Sequence, residues 1–392
     1  MHVFHVITTL NKGGAESHLV DLCRALSQRG VRLTVAFLKG DAYWVDTLQA
    51  IGVETIELGA RHNADPFAIF RLAREIRRRA PDIVHAHMPP AELYATAALC
   101  LAGGPAYMVS KHVDRHPFYP GPGAPLLERL CARPARSVLC ISQAVNDYFR
   151  ERWSASLAEK LVTVRYGMNP CQGGGDLAAK AANVRREWGI AEGETVFGIA
   201  ARFVEQKAID TLITAFARLK DTTEQPVRLV LVGQGPLEPS LRALADELNL
   251  GDRIVWAGFR TDIPVVMRAF DVFVLSSIFE GFGLVLLEAM EAATPIVASG
   301  VSAIPEIVVE GETGLLVPPR QPDRLRDAMR SMLDPEVRKN LGAAGHLRLI
   351  ERFSVEKMAD ATFAIYCSIL VTTRKASGTA HDEVRPMSGN SL

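Results

Sequence analysis

Short, continuously apolar segments alternate with amphipathic helical patterns along most of this chain, and this alternation restricts its fold more than any other feature. In the first half the apolar segments lie at 3–8, 33–37, 53–58, 83–87, 107–112, 137–141 and 161–164. Strands that are apolar on both faces are typical of parallel sheets with helices on both sides. The alternation therefore predicts an α/β fold made of doubly wound, Rossmann-like sheets.

The length of 392 residues predicts two domains, because a single core stops growing at roughly 250 to 300 residues. A Pro/Gly-rich break at 169–193 precedes a second series of strand patterns at 195–200, 229–233, 254–257, 272–275, 296–298 and 314–317. We expect an N-terminal domain at 1–168 and a C-terminal domain at 169–354. A helix at 355–370 should pack back toward the N-terminal domain, and 371–392 should be a disordered tail.

Composition and sequence bias exclude several kinds of protein. The 44 Lys and Arg residues balance the 44 Asp and Glu residues, which argues against a nucleic-acid binder because such proteins need a clustered positive surface. The six cysteines form no CxxC pair, so we expect no zinc site and a reduced compartment. The most apolar stretch, 93–101, has nine residues, and a bilayer span needs about 18. We therefore expect a cytoplasmic protein.

A long Pro/Gly-rich connection at 113–134 interrupts the strand and helix pattern of the first half. Loops of this length in compact domains usually line a binding cleft or are disordered. We interpret 113–134 as a loop that lines the cleft.

Glycines and cations occur directly after strands, where open α/β sheets bind ligands. Gly13 and Gly14 stand at the start of a helix, whose free backbone N–H groups can bind a phosphate; the alternative is an ordinary strand-to-helix turn. Arg202 and Lys207 bracket a strand-to-helix loop in the second half. In isolation these two cations are better explained as solvated surface charges.

The strongest local signal is the segment 277–288, with the sequence SIFEGFGLVLLE. On one continuous helix its two acids, Glu280 and Glu288, would lie about 12 Å apart and could serve opposite ends of an extended ligand. A glutamate in such apolar surroundings is costly unless it accepts hydrogen bonds, and sugar hydroxyls are suitable donors. The alternative is that Glu280 caps the helix and Glu288 faces solvent.

These segments, together with VGQGP at 232–236 and GETGLLV at 311–317, resemble the retaining glycosyltransferases of family 4. The resemblance extends from residue 1 to about residue 370. It implies the GT-B fold, in which two Rossmann-like domains face each other across a cleft. It also implies transfer of a sugar from a nucleotide-diphosphate donor to a glycan, lipid-linked or small-molecule acceptor, with retention of anomeric configuration and without a metal or other cofactor.

The resemblance assigns a role to each matching residue. The donor diphosphate, the transferred sugar and the acceptor hydroxyl would be served by the catalytic set Arg202, Lys207, Glu280 and His112. The donor would further contact Gly13, Gly14, Phe282, Gly283, Leu284, Glu288, Arg260 and His87. Within this set Glu288 would bind the ribose, Arg260 would belong to the loop that meets the base, and His87 would line the cleft beside His112.

The sequence departs from the family pattern at two places and leaves other functions open. Ala208 stands where a glycine is usual, and YGMN at 166–169 stands where an Asn-Gly-hydrophobic-Asp turn is common. A non-hydrolysing nucleotide-sugar epimerase shares the two-domain architecture, and a non-catalytic nucleotide-sugar-binding partner subunit would show the same motifs. The chain contains no DxD sequence, which agrees with a metal-independent site.

Five arginines at 71–79 follow one helical pattern, with apolar residues between them. Such a helix could seat the N-terminal domain on anionic lipid at the inner face of the membrane. A solvated helix face opposite a core stripe is the alternative.

Overall fold

The computed structural model describes residues 1–62, 65–113, 123–170 and 174–376. Within these ranges the chain forms two α/β lobes, each built on one parallel sheet. The predicted α/β architecture with two doubly wound, Rossmann-like domains is confirmed.

The N-terminal lobe contains a parallel sheet with the order β3-β2-β1-β4-β5-β6-β7. Its strands are β1 (His2–Ile7), β2 (Arg32–Phe37), β3 (Glu54–Glu57), β4 (Ile83–His87), β5 (Ala106–Lys111), β6 (Ser137–Cys140) and β7 (Leu161–Thr163). Its helices are α1 (Gly14–Gln28), α2 (Val45–Ala50), α3 (Pro66–Arg79), α4 (Pro89–Ala102), α5 (Ala124–Ala132), α6 (Gln143–Arg152) and α7 (Ala155–Ala158). Every residue of β1, β4, β5 and β6 is buried, as the apolar pattern predicted.

The C-terminal lobe contains a parallel sheet with the order β10-β9-β8-β11-β12-β13. Its strands are β8 (Thr195–Ala200), β9 (Val227–Val232), β10 (Ile254–Gly258), β11 (Val272–Leu275), β12 (Ile296–Ser299) and β13 (Gly314–Val317). Its helices are α8 (Gly174–Glu187), α9 (Ile209–Lys220), α10 (Glu238–Glu247), α11 (Ile263–Ala269), α12 (Leu284–Glu291), α13 (Ile304–Ile307), α14 (Pro322–Ser331) and α15 (Pro335–Arg352). A last helix, α16 (Val355–Ala376), follows this lobe in the sequence.

Strand order reverses beside the first strand of each sheet. In the N-terminal sheet β1 lies between β2 and β4, and in the C-terminal sheet β8 lies between β9 and β11. Loops that leave such neighbouring strands in opposite directions open a crevice at the carboxyl ends of the strands, which is where open α/β sheets bind ligands. The topology therefore places one ligand-binding crevice on each lobe.

Two predicted boundaries were wrong. The segment 113–134, expected to be a loop, contains the helix α5, and residues 114–122 within it lie outside the described residues. The helix α16 continues to Ala376, six residues beyond its expected end at 370. The rest of that tail, 377–392, also lies outside the described residues.

The helix α16 returns to the N-terminal lobe. Arg29 on α1 forms an ion pair of 2.5 Å with Asp360 on α16. Farther along α16, the Tyr366 hydroxyl lies 2.7 Å from Nδ1 of His85 on β4, and both side chains are buried. The C-terminal helix thus belongs to the core of the N-terminal lobe, and the chain must cross between the lobes twice.

The two crossings contact each other directly, and we call them together the hinge. The first crossing follows β7, and the second joins α15 to α16. The N–H of Met168 donates to the carbonyl of Phe353 over 2.8 Å. A Cβ on Gly167 would lie 2.3 Å from the carbonyl oxygen of Ser354, so this close approach requires a glycine.

We expect Gly167→Ala to destabilise the hinge, because the added methyl group forces the two crossing segments apart. Overpacking of this kind costs about 1 to 3 kcal/mol, which denaturant unfolding would measure. Gly123→Ala is the matched control, since that position has φ of −80° and no atom within 4 Å of the added Cβ. Equal effects of the two substitutions would contradict the assigned contact.

Candidate active site

A cavity of about 1000 Å³ lies between the lobes, at the carboxyl ends of both sheets. Its N-terminal wall includes the start of α1 and the residues after β5. Its C-terminal wall includes the segments after β8, β9, β10 and β11. The cavity thus joins the two crevices that the strand orders predict.

The C-terminal wall brings the predicted cations and acids together. Arg202 follows β8 and is exposed, and it lines the cavity. Nζ of Lys207 lies 2.5 Å from Oε1 of Glu280, which follows β11. The same carboxylate oxygen accepts a hydrogen bond of 2.7 Å from the Ser277 hydroxyl. The pair is mostly buried, so it holds a lysine and a glutamate in fixed positions at the cavity wall.

The sequence after Glu280 forms a glycine turn before it forms a helix. Gly283 has φ of 96° and is the N-terminal cap of α12, so Glu280 lies outside the helix and the estimate of 12 Å along a continuous helix does not apply. Gly283 and Leu284 line the cavity. The Leu286 N–H donates to the Gly283 carbonyl, and the backbone N–H groups before it, at the start of α12, are available to a ligand there. The alternative in which Glu280 caps the helix is wrong.

Glu288 lies one turn into α12 and faces the cavity. Burial raises the pKa of its carboxyl from the ordinary 4.5 to about 7. No hydrogen-bond donor from another described residue contacts this carboxylate, which makes it costly to keep ionised. The arrangement is typical of a carboxylate that binds ligand hydroxyls, and the alternative of a solvent-facing Glu288 is wrong.

The raised pKa predicts how Glu288 affects stability. Between pH 4.5 and about 7 the folded chain retains a proton that the unfolded chain has lost, so this group lowers stability progressively as the pH rises through that window. We therefore expect Glu288→Gln to raise the thermal unfolding midpoint by a few degrees at pH 8 and by little at pH 4.5. The exposed Glu247→Gln is the control, and a pH-independent effect of Glu288→Gln would contradict the assignment.

Glycines allow the two lobes to touch at the rim of the cavity. A Cβ on Gly281 would lie 2.1 Å from the carbonyl oxygen of His112, and one on Gly14 would lie 3.2 Å from Cδ1 of Leu284. The Ser142 hydroxyl donates to the Gly281 carbonyl over 2.7 Å. These contacts bring the Glu280 turn of one lobe against the end of β5 in the other.

His112 lies directly after β5 and lines the cavity. Burial, together with the neighbouring Lys111 ammonium, lowers the pKa of His112 to about 3, so its imidazole is neutral. Nδ1 of His112 is hydrogen-bonded to the Tyr166 hydroxyl. Nε2 is buried and has no hydrogen-bond partner among the described residues.

The structure does not bring His87 to the cavity wall. His87 is buried, and its Nε2 lies 2.9 Å from Nδ1 of His5. The neighbouring His85 has Nδ1 bonded to Tyr366 and Nε2 bonded to Ser110. These three imidazoles are close enough together to bind a metal ion, but both nitrogens of His85 already have hydrogen-bond partners. The cluster is therefore a hydrogen-bonded core network behind the cavity.

The far end of the cavity contains the loop that the resemblance assigned to the base. Phe259 is 56% exposed and lines the cavity. Lys12, from the opposite lobe, lies 5.7 Å from its ring and 4.4 Å from the ring of Tyr43. The neighbouring Arg260 also lines the cavity, and its guanidinium is paired with Asp262 over 2.7 Å. An exposed aromatic ring here is suited to stacking on a flat ligand.

Three buried charged residues line the N-terminal wall. Nζ of Lys111 lies 2.5 Å from Oε2 of Glu92 and 3.4 Å from Oε1 of Glu128. None of the three side chains is more than 6% exposed. Burial raises the pKa of the Glu128 carboxyl, and the Lys111 ammonium opposes this shift. Beside these three side chains polar ligand groups would be favoured over apolar ones.

Sequence reasoning missed this triad and Tyr166 for different reasons. Lys111 immediately precedes the predicted His112, and this position at the end of a strand could have predicted that Lys111 lies at the cavity. Glu92 and Glu128 come from separate helices, and nothing in their local sequence connects them. Tyr166 lies in the hinge segment, where the departure from the family pattern gave no basis for a role.

Two family models match the chain on either side of the hinge. The model described as Glycosyltransferase Family 4 matches residues 12–170. The model described as Glycosyl transferases group 1 matches residues 181–348. The boundary between the two matches coincides with the first crossing between the lobes.

Relatives and solved structures agree with these models. The chain is 31% identical to N-acetyl-alpha-D-glucosaminyl L-malate synthase of Bacillus anthracis over 48% of this chain and 49% of that protein. It is 28% identical to the lipopolysaccharide core biosynthesis glycosyltransferase LpsE of Rhizobium meliloti over 91% of this chain and 96% of that protein. The structure of Anabaena HepE in complex with UDP and glucose superposes with a TM-score of 0.80 at 22% identity, and the match covers 94% of this chain and 100% of that chain. With both lobes matched and the GT-B architecture in place, the chain belongs to the group 1, family 4 glycosyltransferases.

Proposed function

We propose that this protein transfers a sugar from a nucleotide-diphosphate sugar to a hydroxyl acceptor, with retention of anomeric configuration and without a metal ion. The observation that supports this most is the convergence of Arg202, Lys207, Glu280 and Glu288 on one interlobe cavity, opposite His112. A pyrophosphate-linked donor offers both negative charge for the cations and hydroxyls for the acids. The UDP and glucose bound to Anabaena HepE support a donor of this kind.

We place the donor along the C-terminal wall. Its diphosphate would lie against Arg202, Lys207 and the first turn of α12, where cations and free N–H groups face the cavity. The ribose hydroxyls would donate to Glu288, and the base would lie near the exposed ring of Phe259. The transferred sugar would then reach Glu280 and the N-terminal wall.

Catalysis must stabilise the charge that develops on the leaving diphosphate as the glycosidic bond breaks. The positive charges of Lys207 and Arg202 can stabilise it without a metal. For retention we propose attack from the same face as the leaving group, with the departing phosphate oxygen accepting the proton of the acceptor hydroxyl. The neutral His112 would orient a hydroxyl through Nε2 without competing as a charged base.

Lys207→Ala and Glu280→Ala should each lower turnover by roughly 10² to 10³, as expected when a preorganised electrostatic contact to the transition state is lost. The donor for this assay is chosen by a screen of UDP-, GDP- and ADP-sugars. Turnover is measured with the sugar that raises the thermal unfolding midpoint most. Lys339→Ala, which removes an exposed lysine on α15, is the control and should be neutral. Near-wild-type rates for both active-site variants would refute the proposed site.

The same assay tests the remaining parts of the mechanism. The anomeric configuration of the product, read from NMR couplings, should match that of the donor. Activity should persist after treatment with EDTA. An inverted product or a strict metal requirement would refute the corresponding part of the proposal.

We propose that the acceptor is a glycan, a lipid-linked sugar or another hydroxyl-bearing small molecule, used in cell-surface polysaccharide or glycolipid synthesis on the cytoplasmic side. The buried charged triad on the N-terminal wall supports polar acceptor groups. The function of the relative LpsE in lipopolysaccharide core biosynthesis supports the pathway. The free thiols of the five cysteines within the described residues agree with a reduced compartment.

A lipid-linked acceptor would bring the protein to a membrane surface. No helix in the described ranges is long and apolar enough to cross a bilayer. However, α3 exposes Phe67 (74%) and Phe70 (61%) to solvent, and the Arg74 side chain on the same helix is 77% exposed. Arg79, in contrast, is 7% exposed and paired with Glu54 and Glu75. We propose peripheral contact with anionic lipid through the two rings and the exposed arginines of α3.

The double variant Phe67→Ser/Phe70→Ser should reduce co-sedimentation with phosphatidylglycerol vesicles roughly tenfold or more, because burial of a phenylalanine side chain contributes about 1.5 to 3 kcal/mol. The matched control is Leu347→Ser/Ile350→Ser, which removes two exposed apolar side chains from α15. High salt should also weaken the association. Equal loss of binding in both double variants would contradict a specific role for α3.

A further inference from the structure

A second cavity, of about 390 Å³, lies at the hinge. We call it the hinge pocket and define it by the residues that line it, namely Arg165, Glu306, Arg348, Arg352, Phe353 and Lys357. Arg165 belongs to the first crossing, Phe353 belongs to the second, and Arg348 and Arg352 lie on α15. A ligand in this pocket would therefore contact both crossings and the C-terminal lobe.

The hinge pocket has an excess of positive charge. Four of its lining residues are cations and one is an acid, and that acid, Glu306, is already satisfied. Its carboxylate accepts hydrogen bonds from Arg165 over 2.9 Å and from the backbone N–H groups of Gln143 and Ala144 over 3.0 and 2.8 Å. The remaining cations are left without a matching anion inside the pocket.

None of the three cations on α15 and α16 that line the pocket forms an ion pair with an acid of the described residues. Burial, with repulsion from Arg352 and Arg165, lowers the pKa of Arg348, and Glu312 opposes this effect only in part. Arg348 donates to the carbonyls of Glu306 and Ile307, and Lys357 donates to the carbonyl of Glu351. The Arg352 side chain forms no hydrogen bond or ion pair with any other residue that the structure describes. Because backbone carbonyls carry no net charge, these hydrogen bonds leave the positive charges of Arg348 and Lys357 uncompensated.

The hinge pocket also adjoins the candidate active site. Arg165 precedes Tyr166, whose hydroxyl is bonded to His112 on the other side of the crossing. The ring of Phe353 lies 6.1 Å from Phe282 at the active-site turn, and the Arg348 guanidinium lies 5.7 Å from the Phe353 ring. Occupancy of the pocket would act on segments that contact the interlobe cavity.

We propose that the hinge pocket is a binding site for a compact, multiply charged phosphate group, separate from the donor site. The guanidinium groups offer the paired N–H donors that phosphate oxygens accept, and Lys357 adds a point charge. Bound phosphate would hold the two crossings and α15 together and so restrain motion between the lobes. The phosphate can come from a soluble metabolite or from a phospholipid headgroup. This site does not depend on the proposed transferase activity.

The test uses the full chain carrying Arg202→Ala and Lys207→Ala, which removes the two phosphate-facing cations of the large cavity. Pyrophosphate is titrated into this protein by calorimetry. We expect one binding event, weakened roughly tenfold or more by the further substitution Arg352→Glu, because a charge-assisted contact is replaced by a repulsive one. Arg324→Glu, at an exposed position on α14, is the matched control and should leave binding unchanged. Equal thermal midpoints of the two Glu variants establish that both fold.

A parallel arm uses phosphatidic acid vesicles, whose headgroup is a phosphate monoester, in place of pyrophosphate. Pyrophosphate binding that depends on Arg352 identifies a soluble phosphate as the ligand. Vesicle binding that depends on Arg352, without pyrophosphate binding, identifies a lipid headgroup. The proposal is overturned if neither probe binds, or if Arg352→Glu and Arg324→Glu affect binding equally in both arms.

Discussion

The contact between Gly281 and the end of β5 sets the geometry on which the candidate site depends. Here the backbones of the two lobes approach so closely that a Cβ would lie 2.1 Å from the His112 carbonyl oxygen, and the Ser142 hydroxyl bonds to the Gly281 carbonyl. A side chain at this point would separate the lobes. Since Glu280 precedes this glycine directly, the distance between the acid and His112 follows from the backbone contact.

The electrostatics of the cavity follow from its enclosure. Burial keeps His112 neutral, with a pKa of about 3, and raises the pKa of Glu288 to about 7. Lys207 and Glu280 neutralise each other in the cavity wall, while Arg202 has no ion-pair partner among the residues that the structure describes. A ligand that carries negative charge at one end and hydroxyls at the other would satisfy these groups together, which is the physical basis for a nucleotide-sugar donor.

The departure at Ala208 becomes interpretable in the structure. Ala208 follows Lys207 with φ of 43° and ψ of 48°, in the left-handed region where a residue with a Cβ costs about 1 to 2 kcal/mol. A glycine would adopt this conformation freely, which explains the family preference. The strain is tolerated because the turn positions Lys207 against Glu280.

By itself the sequence determined the architecture and most of the C-terminal wall of the cavity. Buried parallel strands leave a continuous apolar signal, so all the strand segments of both lobes were visible. Arg202, Lys207 and Glu280 follow such strands directly, and the end of a strand predicts a place in the crevice. The same local reasoning failed at α5, because the Pro and Gly residues near it obscured the helical pattern. It also failed at the end of α16, because the polar residues after 370 obscured where the helix ends.

Only the tertiary structure decided which side chains meet across long sequence separations. His87 is held in the core by His5, and Tyr166 reaches His112 from the hinge. The hinge pocket combines Arg165, from the first crossing, with Arg348, near the end of the C-terminal lobe's sequence. The pattern of a strand or helix records which face is buried, but it carries no information about what a distant segment places against that face.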